Sequence, residues 1–226
     1  MVVYFISGLG ADWRVYSYLN LDFCQPVYVP WIEPQKNESL RGYAMRLRKT
    51  IPEQHPVIVG ISFGGMLATE MAREDKEARV IILSSTKTSD EFPSYLRSLR
   101  YFPIYKWLPG WLLKKSALLI KWFMAAKGKE QKKLLMEIIR DTDMKFVRWA
   151  VPAILNWKNH DCPPNIIHIH GTADRVLPCK KVKADYIIQG GTHAMPLYAY
   201  AEISNILRQV ITREDKIQSF DTEYPR

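Results

Sequence analysis

Six short runs of apolar, mostly β-branched residues punctuate the chain, and the stretches between most of them carry apolar side chains every three or four positions. The runs are Val2 to Ile6, Pro26 to Val29, Val57 to Val59, Val80 to Leu83, Ile166 to Ile169 and Tyr186 to Ile188, and each reads as a strand. Leu40 to Ile51 is an amphipathic helix: Tyr43, Leu47 and Ile51 recur four apart, Arg41, Arg46, Arg48 and Lys49 lie off that face, and Ser39 stands where an N-cap belongs. Met66 to Ala72 continues as helix beyond the third run. Pro196 to Ile211 gives a final helix, followed by a polar stretch, Thr212 to Arg226, that is expected to fray. Strands alternating with helices specify an α/β fold, a mostly parallel, six-stranded open sheet with helices on both faces joined by right-handed crossovers.

The alternation is interrupted once. Residues 85–160, between the fourth and fifth strands, form an interval far longer than a crossover needs, so they must build structure of their own. Aromatic and basic residues mix in Phe92 to Leu108, Trp111 to Ala126 is strongly apolar, Gly128 breaks that helix, and Glu130 to Arg140 starts another. Thr142 to Ala150 then leads through Pro152 to Trp157. We read the interval as a helical cap inserted into a single domain, residues 1–226, long enough to bury a substantial core.

Charge sharpens that picture. The interval holds 15 Lys and Arg against 6 Asp and Glu, whereas the rest of the chain holds 17 of each, so the whole formal charge of +9 sits in the cap. Such a cap could draw an anionic small-molecule acyl substrate towards an apolar pocket. It could equally make peripheral contact with an anionic bilayer through Trp107, Trp111, Trp122 and Phe123, or its lysines could simply solvate the outer face. Nucleic acid is a poor partner, because the charge comes with no recognisable binding module. The chain opens directly on a strand without a signal-peptide pattern, and no run of 18 apolar residues offers a membrane span. Cys24, Cys162 and Cys179 form an odd set without metal spacing, which suits a reducing, cytoplasmic setting. Oligomeric state is left open.

The candidate chemistry lies at strand ends. Pro56-Val57-Ile58-Val59-Gly60-Ile61-Ser62-Phe63-Gly64-Gly65 joins a buried strand to a helix through Gly-x-Ser-x-Gly. The small residues let backbones approach, so that Ser62 can hold a strained turn at the helix's positive end. Asn165 to Asp174 is a strand running into a turn that ends on an acid, and Gly190-Gly191-Thr192-His193 places a histidine in a glycine-rich loop after the next strand. The chain order Ser, Asp, His is the one expected when successive strands of an open sheet each contribute one member of a triad. His193 is the only histidine after Asp174; His55 and His160 lie elsewhere, and His168 and His170 come too early, His170 being placed to order the Asp174 turn. Asp185 opens a strand and should point away from the site, and Asp12 should fix its own loop. No metal-ligand cluster or phosphate-cradling loop is evident, so no cofactor and no metal are inferred.

Four segments resemble the α/β-hydrolase superfamily: Phe5 to Asp12, Gly60 to Gly65, His170 to Pro178, and Gly190 to His193. The resemblance implies Ser62 as nucleophile, His193 as general base and then acid, Asp174 as the residue orienting the imidazole, and an oxyanion hole made by the backbone N–H groups of Leu9 and Phe63. Many members begin the first loop with His-Gly where this chain has Ser7-Gly8, and the family's first antiparallel hairpin is absent. Ser84-Ser85 occupies the family's alternative acid position after the fourth strand, which favours Asp174. The implied activity is that of a serine hydrolase cleaving a carboxylic ester or thioester through an acyl-enzyme on Ser62. The alternative is a non-catalytic or lyase-type protein of the same fold that binds a small ligand under the cap.

Overall fold

All six apolar runs become strands in the computed structural model, which describes residues 1–101 and 128–221. They are β1 (Val2–Ile6), β2 (Gln25–Tyr28), β3 (Val57–Ile61), β4 (Arg79–Leu83), β5 (Ile166–Gly171) and β6 (Tyr186–Ile188). Every neighbouring pair is parallel, and the order across the sheet is β2-β1-β3-β4-β5-β6. The chain therefore moves from β1 to one edge, returns to β3 and proceeds to the other edge. The reversal falls between β1 and β3, and the crevice beyond their carboxyl ends is where an open sheet of this kind places its ligands.

The strand period of two divides the core. Tyr4, Ile6, Ile58, Val80, Ile82 and Ile166 face one side, while Val3, Phe5, Val57, Val59, Ile81 and Ile169 face the other. The first side is covered by α1 (Leu40–Arg48), α2 (Phe63–Glu74) and α5 (Met144–Leu155), and the second by α6 (Tyr200–Asp221) with the turns after β1 and β6. Two further helices, α3 (Ser94–Tyr101) and α4 (Lys129–Asp141), complete the described set. Among the described residues no helix is long and apolar enough to cross a membrane.

Three boundaries differ from the sequence reading for local reasons. Ser39 caps α1 as expected, its Oγ accepting from Gly42 N–H at 3.1 Å, but the helix stops at Arg48 rather than Ile51. There the Thr50 hydroxyl takes the Leu47 carbonyl at 2.7 Å and tightens the last turn. Pro196 lies in a separate 3-10 turn (Met195–Leu197), so α6 begins only at Tyr200, and it runs on to Asp221 through part of the stretch expected to fray.

Within residues 85–160 the expected helix over 111–126, with Trp107, Trp122 and Phe123, lies outside the described residues. The described remainder is helical: α4 follows Gly128 closely as the pattern foretold, and α5 carries Pro152 inside its last turns. It also docks more deeply than a lid. Phe146, Ala150 and Ala153 of α5, with Trp157 just beyond it, are buried in the same core as Ile58 and Val80. That arrangement makes α5 a wall of the sheet domain.

Candidate active site

Between the last residue of β3 and the first of α2 stands a single residue, Ser62, with φ 52° and ψ −116°. A positive φ at a non-glycine residue costs about 1–3 kcal/mol and persists only where its surroundings enforce it. The enforcement is visible. Ser62 N–H still donates to Leu83 O at 2.9 Å, while Ser62 O accepts from Gly65 N–H at 3.0 Å and from the Ser85 hydroxyl at 2.7 Å. A Cβ on Gly60 would overlap the Gly64 carbonyl, and one on Gly64 would overlap the carbonyl oxygens of Ile6 and Ser7. The sharp turn thus needs both glycines of the motif. It also needs Gly65, whose Cβ would collide with Ser85.

The two partners arrive on the loops after β5 and β6. Gly171 and Gly191 bring these loops into backbone contact that a Cβ on either would block, and Ala173 N–H donates to Gly191 O at 2.8 Å. His193 Nε2 lies 2.9 Å from Ser62 Oγ, and His193 Nδ1 lies 2.8 Å from Asp174 Oδ2. His193 and Asp174 are 3 % and 5 % exposed, whereas Ser62 is half-buried. The structure therefore brings together the three residues that the sequence singled out, in hydrogen-bonding order.

Asp174 is held on its other oxygen as well: Oδ1 accepts from Val176 N–H at 2.8 Å and Leu177 N–H at 2.9 Å. Burial pushes its carboxyl up, but the adjacent His193 charge and these hydrogen bonds outweigh that and leave it below the usual carboxylate range. His170 orders the turn as expected, its Nε2–H donating to Leu177 O at 2.7 Å. That bond makes His170 Nδ1 an acceptor, so the proton in the 3.0 Å contact between the two rings belongs to His168 Nε2. The remaining His168 Nδ1 lone pair is buried without a partner. Burial pushes both histidines below their ordinary range, helped at His168 by the neighbouring His170 and Lys87 and opposed at His170 by the Asp174 carboxylate. Asp185, the rival acid, is engaged elsewhere, with Lys87 Nζ at 3.0 Å and His168 N–H at 2.7 Å.

On the opposite side of Ser62 lies the loop after β1. Ala11 N–H donates to Gly8 O at 3.0 Å, closing a turn around Leu9 and Gly10, and Gly10 has a φ of +69°. A Cβ on Gly8 would sit 3.5 Å from Ser62 Cβ, so this loop abuts Ser62. Asp12 fixes the loop as foreseen, accepting from Arg14 N–H at 3.0 Å and pairing with the Arg14 guanidinium. Two other contacts carried no sequence signal: Trp31 Nε1–H donates to Ala11 O at 3.0 Å, and the Thr142 hydroxyl donates to Gly10 O at 2.6 Å. Phe63, whose N–H is the first of α2, is fully buried against Trp31, Phe146 and Trp149.

A groove of about 1370 Å³ opens between the segment 31–41 and α5, reaching the same loop at Gly10 to Asp12. Ser62 does not line it, so the chemistry is located by the hydrogen bonds and not by the groove. Among the described residues no group of three or more His, Cys, Asp or Glu side chains could hold a metal ion.

No protein-family model and no curated protein matches the chain. Solved structures do. An esterase from Exiguobacterium antarcticum is 14% identical with a TM-score of 0.69, covering 94% of this chain and 92% of its own. An enol-lactonase from Burkholderia xenovorans is 12% identical with a TM-score of 0.70, covering 93% and 91%, and a malate-bound thermophilic esterase from Thermogutta terrifontis is 12% identical with a TM-score of 0.68, covering 94% and 90%. The chain has the α/β-hydrolase fold.

Proposed function

We propose that the protein is a serine hydrolase that cleaves a small carboxylic ester or thioester through an acyl-enzyme on Ser62. The observation that carries this reading is the continuous hydrogen-bond chain from Asp174 through His193 to Ser62 Oγ. With the His193 Nδ1 proton donated to the carboxylate, Nε2 presents its lone pair to the serine hydroxyl. His193 takes the Ser62 proton as Oγ attacks the carbonyl carbon, and Asp174 stabilises the resulting imidazolium. The oxyanion is received by the N–H groups of Phe63 and Leu9: the first is the N-terminal N–H of α2, at the helix's positive end, and the second belongs to the loop that abuts Ser62. His193 returns the proton to the leaving group, and water repeats the cycle to release the acid. The fold neighbours, esterases and lactonases by name, act on the same bond type, and the basic excess of residues 85–160 favours an anionic substrate.

The test is covalent labelling by a fluorophosphonate, with the adduct located by mass spectrometry, beside turnover of short acyl esters and thioesters. An adduct on Ser62 is expected, weakened in His193→Ala and Asp174→Ala. Ser62→Ala should lower kcat/KM by about 10⁴-fold or more, with an unchanged Tm. Folded wild-type protein that neither labels nor turns over any ester would sink the proposal and leave ligand binding without chemistry as the function.

A further inference from the structure

The loop that carries the Leu9 amide is fixed less by its own backbone than by side chains reaching it from elsewhere. Its turn is closed by one internal bond, Ala11 N–H to Gly8 O, and the carbonyls of Gly10 and Ala11 are each held by a side chain from another segment. The Gly10 carbonyl belongs to Thr142, the residue that ends α4. Its hydroxyl lies 2.6 Å from Gly10 O and 3.1 Å from Ile138 O; a hydroxyl has one proton, and the shorter contact takes it. The fit is close on the apolar side too, since a Cβ on Gly10 would stand 2.9 Å from Thr142 Cγ2.

The same helix reaches the other half of the site. Leu135 of α4 is buried with Ala194 and Leu197, on the loop that carries His193. One rigid helix thus touches the base-bearing loop at its middle and the oxyanion loop at its end. Displacing either end changes the separation between the two groups that must act on one carbonyl.

We propose that Thr142 is a positioning residue for acyl transfer: its hydroxyl locks the Gly10 carbonyl so that α4 holds the Leu9 amide at the height of the Ser62 nucleophile. The inference rests on the serine-hydrolase reading above and adds a residue from the inserted interval to its machinery. A donor moved by a fraction of an ångström is weakened rather than removed, and misplacement on that scale costs about 10-fold in rate. The cost falls on the transition state, where the oxyanion forms, and spares the ground state, whose ester carbonyl carries no charge.

Thr142→Val retains the shape and deletes the hydroxyl; Thr142→Ser retains the hydroxyl and deletes the methyl group. For a short acyl ester, kcat of Thr142→Val should fall about 10-fold with KM within about twofold, and Thr142→Ser should stay close to wild type. Hydrogen exchange read by mass spectrometry should quicken in the peptide spanning Gly8 to Arg14 in Thr142→Val and nowhere near β5 or β6. Equal kcat in wild type and Thr142→Val, or unchanged exchange in that peptide, would overturn the assignment while leaving the serine hydrolase standing. So would equal losses in both variants, which would mark Thr142 as packing alone. A wild-type protein inert to ester and fluorophosphonate removes the hydrolase reading first, and the catalytic role of Thr142 with it.

Discussion

The two sides of Ser62 are built differently. On the side of His193 and Asp174, position comes from main chain: β5 and β6 are neighbours in the sheet, their loops touch at Gly171 and Gly191, and backbone N–H groups hold Asp174. On the side of Leu9 a single short turn leaves β1, and side chains from Trp31, Thr142 and Asp141 reach across to hold it. A constellation set by strand order tolerates change in the side chains around it. One set by side-chain hooks can be retuned by single substitutions, which suits the part of a site that adapts to its substrate.

The largest expected effect exposes this contrast directly. In Gly64→Ala the new methyl would meet main-chain oxygens of Ile6 and Ser7, which cannot move without separating β1 from β3, so a loss of about 3 kcal/mol or more is expected. In Gly10→Ala the obstacle is the Thr142 side chain together with a left-handed φ, and about 1–2 kcal/mol should suffice. Urea unfolding of the two variants decides the matter. Similar losses would mean that the turn after β1 is as firmly built as the turn at Ser62.

The same contrast explains what could be read from sequence. The central strands were legible because parallel strands buried on both faces are continuous apolar runs, the partly exposed edge strands β2 and β6 because short β-branched and aromatic runs still mark them, and Ser62, Asp174 and His193 because each follows such a run in the order the sheet imposes. Ser85, Trp31 and Thr142 were not, because each acts at a place set by tertiary packing. Thr142 and Gly10 are 132 residues apart, and nothing in Asp141-Thr142-Asp143 distinguishes it from an ordinary helix end. Within interval 85–160, the helix after Gly128 was legible from the glycine that precedes it. That α5 serves as a wall against the sheet was not, because periodicity gives the width of an apolar face and not the surface it meets.

A smaller effect tests the backbone-built side by pH. His168 and His170 have folded pKa values below their unfolded ones, so the unfolded chain binds more protons in acid. Their neutral, buried state favours the native protein above about pH 6.5, and that stability is lost as pH falls through the unfolded and then the folded value. Between pH 7.5 and 5.5 each should remove up to about 1.4 kcal/mol of unfolding free energy. His168→Phe should be less stable than wild type at pH 7.5, where it strands the His170 Nδ1 lone pair, yet lose less on acidification. A parallel pH dependence in the two proteins would remove His168 from the account.

The smallest effect belongs to the side of Leu9, at Arg14, whose guanidinium pairs with Asp12 at 2.7 Å and with Asp141 at 3.0 Å and so joins the turn to the end of α4. Although this bridge spans the same two segments as Thr142, both carboxylates are more than a third exposed, and ion pairs in that setting are worth under about 1 kcal/mol and weaken with salt. Arg14→Gln should therefore lower stability by about 0.5 kcal/mol at low ionic strength, less in 0.5 M salt, and change kcat by less than about twofold. The ranking against Thr142→Val is the informative quantity. Arg14 grips side chains at the rim of the turn, whereas Thr142 grips the carbonyl one residue beyond the Leu9 amide. If the less buried ion pair proved the costlier loss in kcat, the loop would be held by charge at its rim, and its geometry would follow ionic strength rather than the seating of α4.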